Sequence, residues 1–234
     1  MLFFSKKLSD CELAAAVKSE AQKYFSGKIG SHDWDHSLRV LNNCRIIGPQ
    51  LGADMLILEL ASYLHDIGRE QESKNKGKVC HAKIGAREAE KVLKKLGGKK
   101  EIIEAVTHCI ECHRSKDEQM PQTVEAKVLY DADKLDALGA IGLVRLFLFA
   151  NEVGAGIHNK ESDLSKTNAY SDEDTAFREF YLSVRFLKDK MVTEPGKNLA
   201  AERHNFMVDF FAHLFEEVGA HPDFSLMLDE IKKS

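Results

Sequence analysis

Met55-Leu56-Ile57-Leu58-Glu59-Leu60-Ala61-Ser62-Tyr63-Leu64-His65-Asp66-Ile67-Gly68 is the stretch that decides the fold. Its apolar residues fall on nearly every side of a 3.6-residue period, which predicts a buried central helix over about 53–67, with Gly68 where a C′ glycine would stand. A helix buried all round needs other helices to cover it. The flanking sequence supplies them, because apolar residues return at three and four rather than at two in nearly every segment. Ser9-Asp10-Cys11-Glu12 is a capping box, and Leu13, Ala14, Val17, Ala21, Tyr24 and Phe25 then share one face up to Gly27. A second helix spans about 33–47 and stops before Gly48-Pro49. Others are expected over 81–96, 99–113, 124–138, 140–153, 173–191, 198–218 and 223–232, with prolines 49, 121, 195 and 222 near the junctions. The chain reads as all-α. One irregular stretch, about 154–172, is rich in Gly, Ser, Asn, Asp and Lys, and a loop of that length is usually functional or disordered.

Composition narrows the function. The 234 residues are 44% hydrophobic, enough for one real core, and a single domain over 1–234 is expected. Lys and Arg number 33 against 37 Asp and Glu, giving a net charge of −4 with both signs interspersed. No basic stripe exists for duplex nucleic acid. The apolar runs at 55–64 and 137–150 are broken by Glu59 and Arg145 and fall below the ~18 clean residues of a membrane span. The amino terminus has its apolar residues before its charges, the reverse of a secretory signal. Five cysteines, an odd number, fit reduced thiols and no disulfide. A cytoplasmic protein is expected, and the oligomeric state is left open.

His65-Asp66 closes a wholly apolar helix, where a polar pair is costly to bury without partners. A metal ion answers, since imidazole plus carboxylate suits a divalent first-row ion with positions open for water. The remaining ligands must come from other helices.

Three motifs in order, Ser31-His-Asp-Trp-Asp-His36-Ser-Leu-Arg39-Val, Tyr63-Leu-His65-Asp66-Ile-Gly68 and Asp131-Ala-Asp133-Lys134-Leu-Asp136-Ala-Leu-Gly, resemble the H…HD…D signature of the HD-domain superfamily of metal-dependent phosphohydrolases. The resemblance covers about 30–145, and the motifs look like those of the small single-domain bacterial and archaeal hydrolases. It implies an HD-type helical bundle with additional C-terminal helices over about 173–234. It implies His36, His65, Asp66 and Asp133 as metal ligands, with Asp66 the bridge if a second ion binds. His81 and His108 stand where dinuclear members place ligands for a second metal, or they serve the phosphate or the leaving group. Cys109 replaces the second His of a His-His pair, and the Gly-Tyr-Pro segment of cyclic-dinucleotide hydrolases is absent.

Around this set, Arg39 lies on the face of His36 and reads as a phosphate clamp or a plain ion pair. Lys134 is placed to neutralise phosphate oxygens in catalysis and binding or to pair with a carboxylate. Asp136 reads as an orienter of a ligand imidazole or of Lys134. Arg145, alone in an apolar helix, is either ion-paired, the favoured reading, or aimed at an anionic substrate. His158 and Lys160 are the residues of the 154–172 loop most able to touch a phosphate or base if that loop covers the pocket. His108-Cys109-Ile110-Glu111-Cys112-His113 tempts a zinc reading, but His108 and Cys112 share one helical face while Cys109 and His113 share another, and no second Cys pair completes the site.

The resulting expectation is a phosphohydrolase that uses one or two divalent ions (Mn, Mg, Co, Ni, Fe or Zn) to cleave a phosphate ester or anhydride, most plausibly of a nucleotide. Two rivals stand beside it. One is a di-iron HD-fold oxygenase using His36, His65, Asp66, His81, His108 and Asp133. The other is a non-catalytic nucleotide-binding regulatory module.

Overall fold

The computed structural model describes residues 8–25, 33–75, 78–114, 120–160 and 163–233, and among these there is no β-strand. The all-α expectation holds. Two compact units divide the chain, Met1–Asp133 and Lys134–Ser234, and the division falls inside a helix.

The first unit is built on α3 (Met55–Leu64), which packs against α1 (Asp10–Gln22), α2 (Trp34–Ile47) and α6 (Lys100–Cys112). Leu58, Leu60 and Leu64 are wholly buried, each burial worth about 2 kcal/mol. Ser9 and Glu12 close the capping box read from the sequence, while Gly27 lies outside the described residues. The short α4 (Arg69–Lys74) was not anticipated, because six polar residues carry no apolar period. α5 (His81–Lys95) packs along α6, and α7 (Val124–Leu135) is tied to α2 by Asn43 Nδ2 donating to the Ala132 carbonyl at 2.9 Å.

In the second unit α8 (Gly139–Glu152) and α10 (Glu194–Val218) pack together, with α9 (Ala176–Leu182) on α8 and α11 (Pro222–Lys233) on α10. Phe177 is the centre of an aromatic core, with Phe180, Phe211, Phe215 and Phe224 around it at ring centroids 4.6–6.4 Å away. The helix expected over 173–191 is instead α9 followed by a 3-10 segment, Val184–Lys190, the break falling at Ser183 (φ −132°, ψ −63°). α10 begins four residues before the expected start. Thr193 caps it and Pro195 occupies the first turn, where its missing N–H is no loss.

The stretch around 154–172 is better tied than its composition suggests. Asn159 donates to the Glu173 carbonyl at 2.8 Å and accepts from Thr175, and Arg178 joins Asp174 at 2.6 Å. Leu164, buried, anchors a short 3-10 turn, and His158 Nδ1 donates to the neighbouring Asn159 carbonyl at 3.0 Å.

Candidate metal centre

Each side chain of the centre is placed by the end of a helix or by a turn, except Asp133 inside α7. Asp33 caps α2 by accepting from the His36 amide at 2.9 Å, which fixes His36 in the first turn. α3 stops at Leu64, so His65 and Asp66 fall in the turn that follows, where neighbouring side chains can face one point. Gly68 is needed here for space, not for a left-handed cap. Its φ is −84°, and a Cβ would lie 2.3 Å from the His81 carbonyl oxygen. A Cβ on Gly85, one turn into α5, would come 3.2 Å from the His65 carbonyl oxygen. Two glycines thus let the His65-Asp66 turn lie against the start of α5, bringing His81 to Asp66.

Four buried imidazoles follow one another, His36, His65, His113 and His81, with successive ring centroids 5.1–5.3 Å apart. Asp66 divides them. Its Oδ2 is 3.7 Å from Nε2 of both His36 and His65, and its Oδ1 is 3.5 Å from His81 Nε2 and 3.6 Å from His113 Nε2. Asp133 Oδ1 completes the first half, 3.3 Å from His36 Nε2 and 3.9 Å from His65 Nε2. Among the described residues two donor groups result: His36, His65 and Asp66, and Asp66, His81 and His113.

The protonation pattern shows what these groups fit. His113 Nδ1 donates to the Ile110 carbonyl at 2.6 Å, and His81 Nδ1 donates to Glu72 Oε2 at 2.8 Å. Both acceptors lack a hydrogen, so in each neutral ring Nε2 carries a lone pair, and these lone pairs face each other across 3.1 Å. Burial, helped by the charge of Arg69, pushes His81 down to about 4. A cation between the two Nε2 atoms would be held by both. His65 is set the same way, with Nδ1 donating to the Ser62 carbonyl at 2.9 Å and burial pushing the ring down to about 4. Burial raises the Asp133 carboxyl, but the His36 hydrogen bond and the nearby imidazoles outweigh it and hold Asp133 well below its usual range. Ligands about 2.1 Å from one ion in tetrahedral or octahedral array stand roughly 3.0–3.4 Å apart, close to the spacings here.

His36, His65, Asp66, Asp133 and His81 of the sequence-derived set are brought together. His108 is not. The buried face of α6 carries Val106, Cys109 and His113, while His108 turns aside, its Nδ1 3.7 Å from Cys112 Sγ. His113 takes the place expected of His108; the signal was the shared face of Cys109 and His113. Glu72, Arg69 and Arg114 were also missed. Arg69 Nε donates to Asp66 Oδ1 at 2.9 Å, and Arg114 Nη1 donates to Glu72 Oε1 at 2.6 Å. Arg39 is half-buried on α2. Lys134 and Asp136 belong to the second unit, where Asp136 Oδ2 accepts from Arg145 at 2.8 Å, so Arg145 is ion-paired and not a bare cation awaiting substrate. Cys109 and Cys112 are buried free thiols.

The HD domain family model matches residues 33–138. The chain is 31% identical to YpgQ of Bacillus subtilis over 219 residues, covering 90% of this chain and 96% of that protein. It also matches Ribonuclease Y of Thermoanaerobacter pseudethanolicus at 33% over 121 residues, which is 52% of this chain and 22% of the relative. Among solved structures, YpgQ in complex with ADP superposes with a TM-score of 0.68 at 29% identity, covering 90% of this chain and 97% of that one. An HD-superfamily hydrolase from Bacillus thuringiensis gives 0.70 at 26%, covering 91% and 100%. Among the described residues no helix is long and apolar enough to cross a membrane. A match that runs nearly the full length of YpgQ, with the HD model laid over the segment holding His36, His65, Asp66 and Asp133, places the chain in the HD-domain superfamily.

Proposed function

We propose that the chain is a metal-dependent phosphohydrolase acting on a nucleoside phosphate. The observation that carries this is Asp66, whose two oxygens face two separate histidine pairs. His36, His65, Asp66 and Asp133 would hold one divalent ion, and Asp66, His81 and His113 a second. Ions so held supply a Lewis acid for a phosphoryl oxygen and acidify a water. The residues do the rest. Nδ1 hydrogen bonds to the Ser62 and Ile110 carbonyls and to Glu72 keep the Nε2 atoms of His65, His113 and His81 turned inward. Arg39, one turn beyond His36, would offer positive charge to phosphate oxygens. A nucleotide is favoured as substrate because YpgQ, similar over nearly its whole length, was solved with ADP.

The test is a hydrolysis screen of freshly purified chain loaded with Mn²⁺ or Co²⁺, across nucleoside mono-, di- and triphosphates, cyclic phosphodiesters and short RNA. Phosphate or pyrophosphate release from a nucleoside phosphate, lost in Asp66→Ala, is the expected result. Silence across the panel in ion-loaded protein would contradict it and leave the regulatory module; cleavage of RNA alone would move the substrate class. Six donor residues, Asp66 the shared one among them, also suit a di-iron oxygenase, with His113 in the place of His108. O₂ uptake by the iron-loaded chain separates that reading.

A further inference from the structure

Glu72 lies six residues after Asp66 on the short α4, outside both donor groups. Its carboxylate is nevertheless the hub beside them. Oε2 accepts from His81 Nδ1 at 2.8 Å and Oε1 from Arg114 Nη1 at 2.6 Å. Arg69 joins the circuit, its Nη1 3.9 Å from Glu72 Oε2 while its Nε donates to Asp66 Oδ1. His65 and His113 are oriented by carbonyls three residues back in their own helices, Ser62 and Ile110. His81 cannot be. It is the first residue of α5, with no preceding helical turn to provide such a carbonyl, so its partner has to come from elsewhere.

The geometry points to Glu72 as the positioning residue of the second ion site: it keeps the His81 proton on Nδ1, aims the Nε2 lone pair at Asp66 and His113, and so sets how tightly that half holds its ion. Arg114 and Arg69 fix the carboxylate in turn. A carboxylate partner raises the basicity of the ligand ring, and removing such a partner typically weakens metal binding by about 10–100-fold. This assignment rests on the two-ion reading above.

Calorimetric Mn²⁺ titration of the metal-stripped full chain, with ¹⁵N–¹H spectra of the histidine rings in the same ion-free protein, tests it. In Glu72→Ala one of the two binding steps is expected to weaken by about 10–100-fold while the other is unchanged, and the His81 proton to leave Nδ1. Glu72→Gln keeps an acceptor oxygen and is expected to retain the Nδ1–H tautomer and most of the affinity. A merely structural role would weaken both steps together, and that result, or an unchanged second step with His81 still protonated on Nδ1 in Glu72→Ala, overturns the proposal. If the wild type takes up a single Mn²⁺, the two-ion reading fails and the tautomer decides the role of Glu72. A switch in Glu72→Ala that Glu72→Gln prevents upholds it; no switch overturns it.

Discussion

The two halves of the centre share one carboxylate and the same chemistry, yet they are held in different ways. In the His36 half, orientation comes from the main chain and from long helices: the Asp33 cap on α2, the Ser62 carbonyl on His65, and the Asn43 bond to the Ala132 carbonyl beside Asp133. In the His81 half, one ring depends on a side chain of a six-residue helix, and the approach of α5 depends on two glycines. Main-chain support survives most substitutions, whereas side-chain support can be removed one atom group at a time. The His81 half is therefore the one that sequence can weaken without touching the other.

Substitutions break this comparison to different degrees. Asp66→Ala removes the shared carboxylate, so both halves should fail together, with activity down by about a thousandfold or more, beyond the 10–100-fold of an outer partner. Elemental analysis should find little bound metal, and circular dichroism an intact helical signal. Acid acts on both halves through the rings. His65 and His81 sit at about 4 when folded and near 6.5 when unfolded, so below pH 6.5 the unfolded chain binds the extra protons. The metal-free protein should lose about a few kcal/mol of stability as pH falls from 6.5 to 4, read as a falling midpoint in urea. A midpoint flat across that window would contradict the burial of the neutral rings. Gly68→Ala forces the turn away from α5, with a stability loss of about 1–3 kcal/mol and a weaker second ion. Arg114→Met, which frees Glu72 without removing it, should have the smallest effect, a few-fold in the affinity of the second ion alone.

Much of this was legible in the sequence because helix ends have a vocabulary of their own. The polar pair after the apolar run to Leu64 marked where ligands stand, and the resemblance to the HD signature supplied His36 and Asp133. His113 was harder. His108 and His113 are five residues apart on one helix, and only the choice of buried face separates them; that face is set by packing on α3 and α5. Glu72 and Arg69 lie in a segment with no apolar period, so nothing local announced a helix or a role. Gly68 reads in the sequence as a C′ glycine, since a sequence cannot show that the His81 carbonyl passes 2.3 Å from where its Cβ would be. Ser183 breaks a helix with neither Gly nor Pro to warn of it.

The central claim is that Asp66 joins two ion sites, the second built with His113 and not with His108. Equilibrium Mn²⁺ binding to the metal-stripped wild type, His113→Ala and His108→Ala, measured side by side, addresses it most directly. Two ions per chain in the wild type and in His108→Ala, and one in His113→Ala, is the predicted result. One ion in the wild type with no change in His113→Ala, or loss of the second ion in His108→Ala alone, would contradict it.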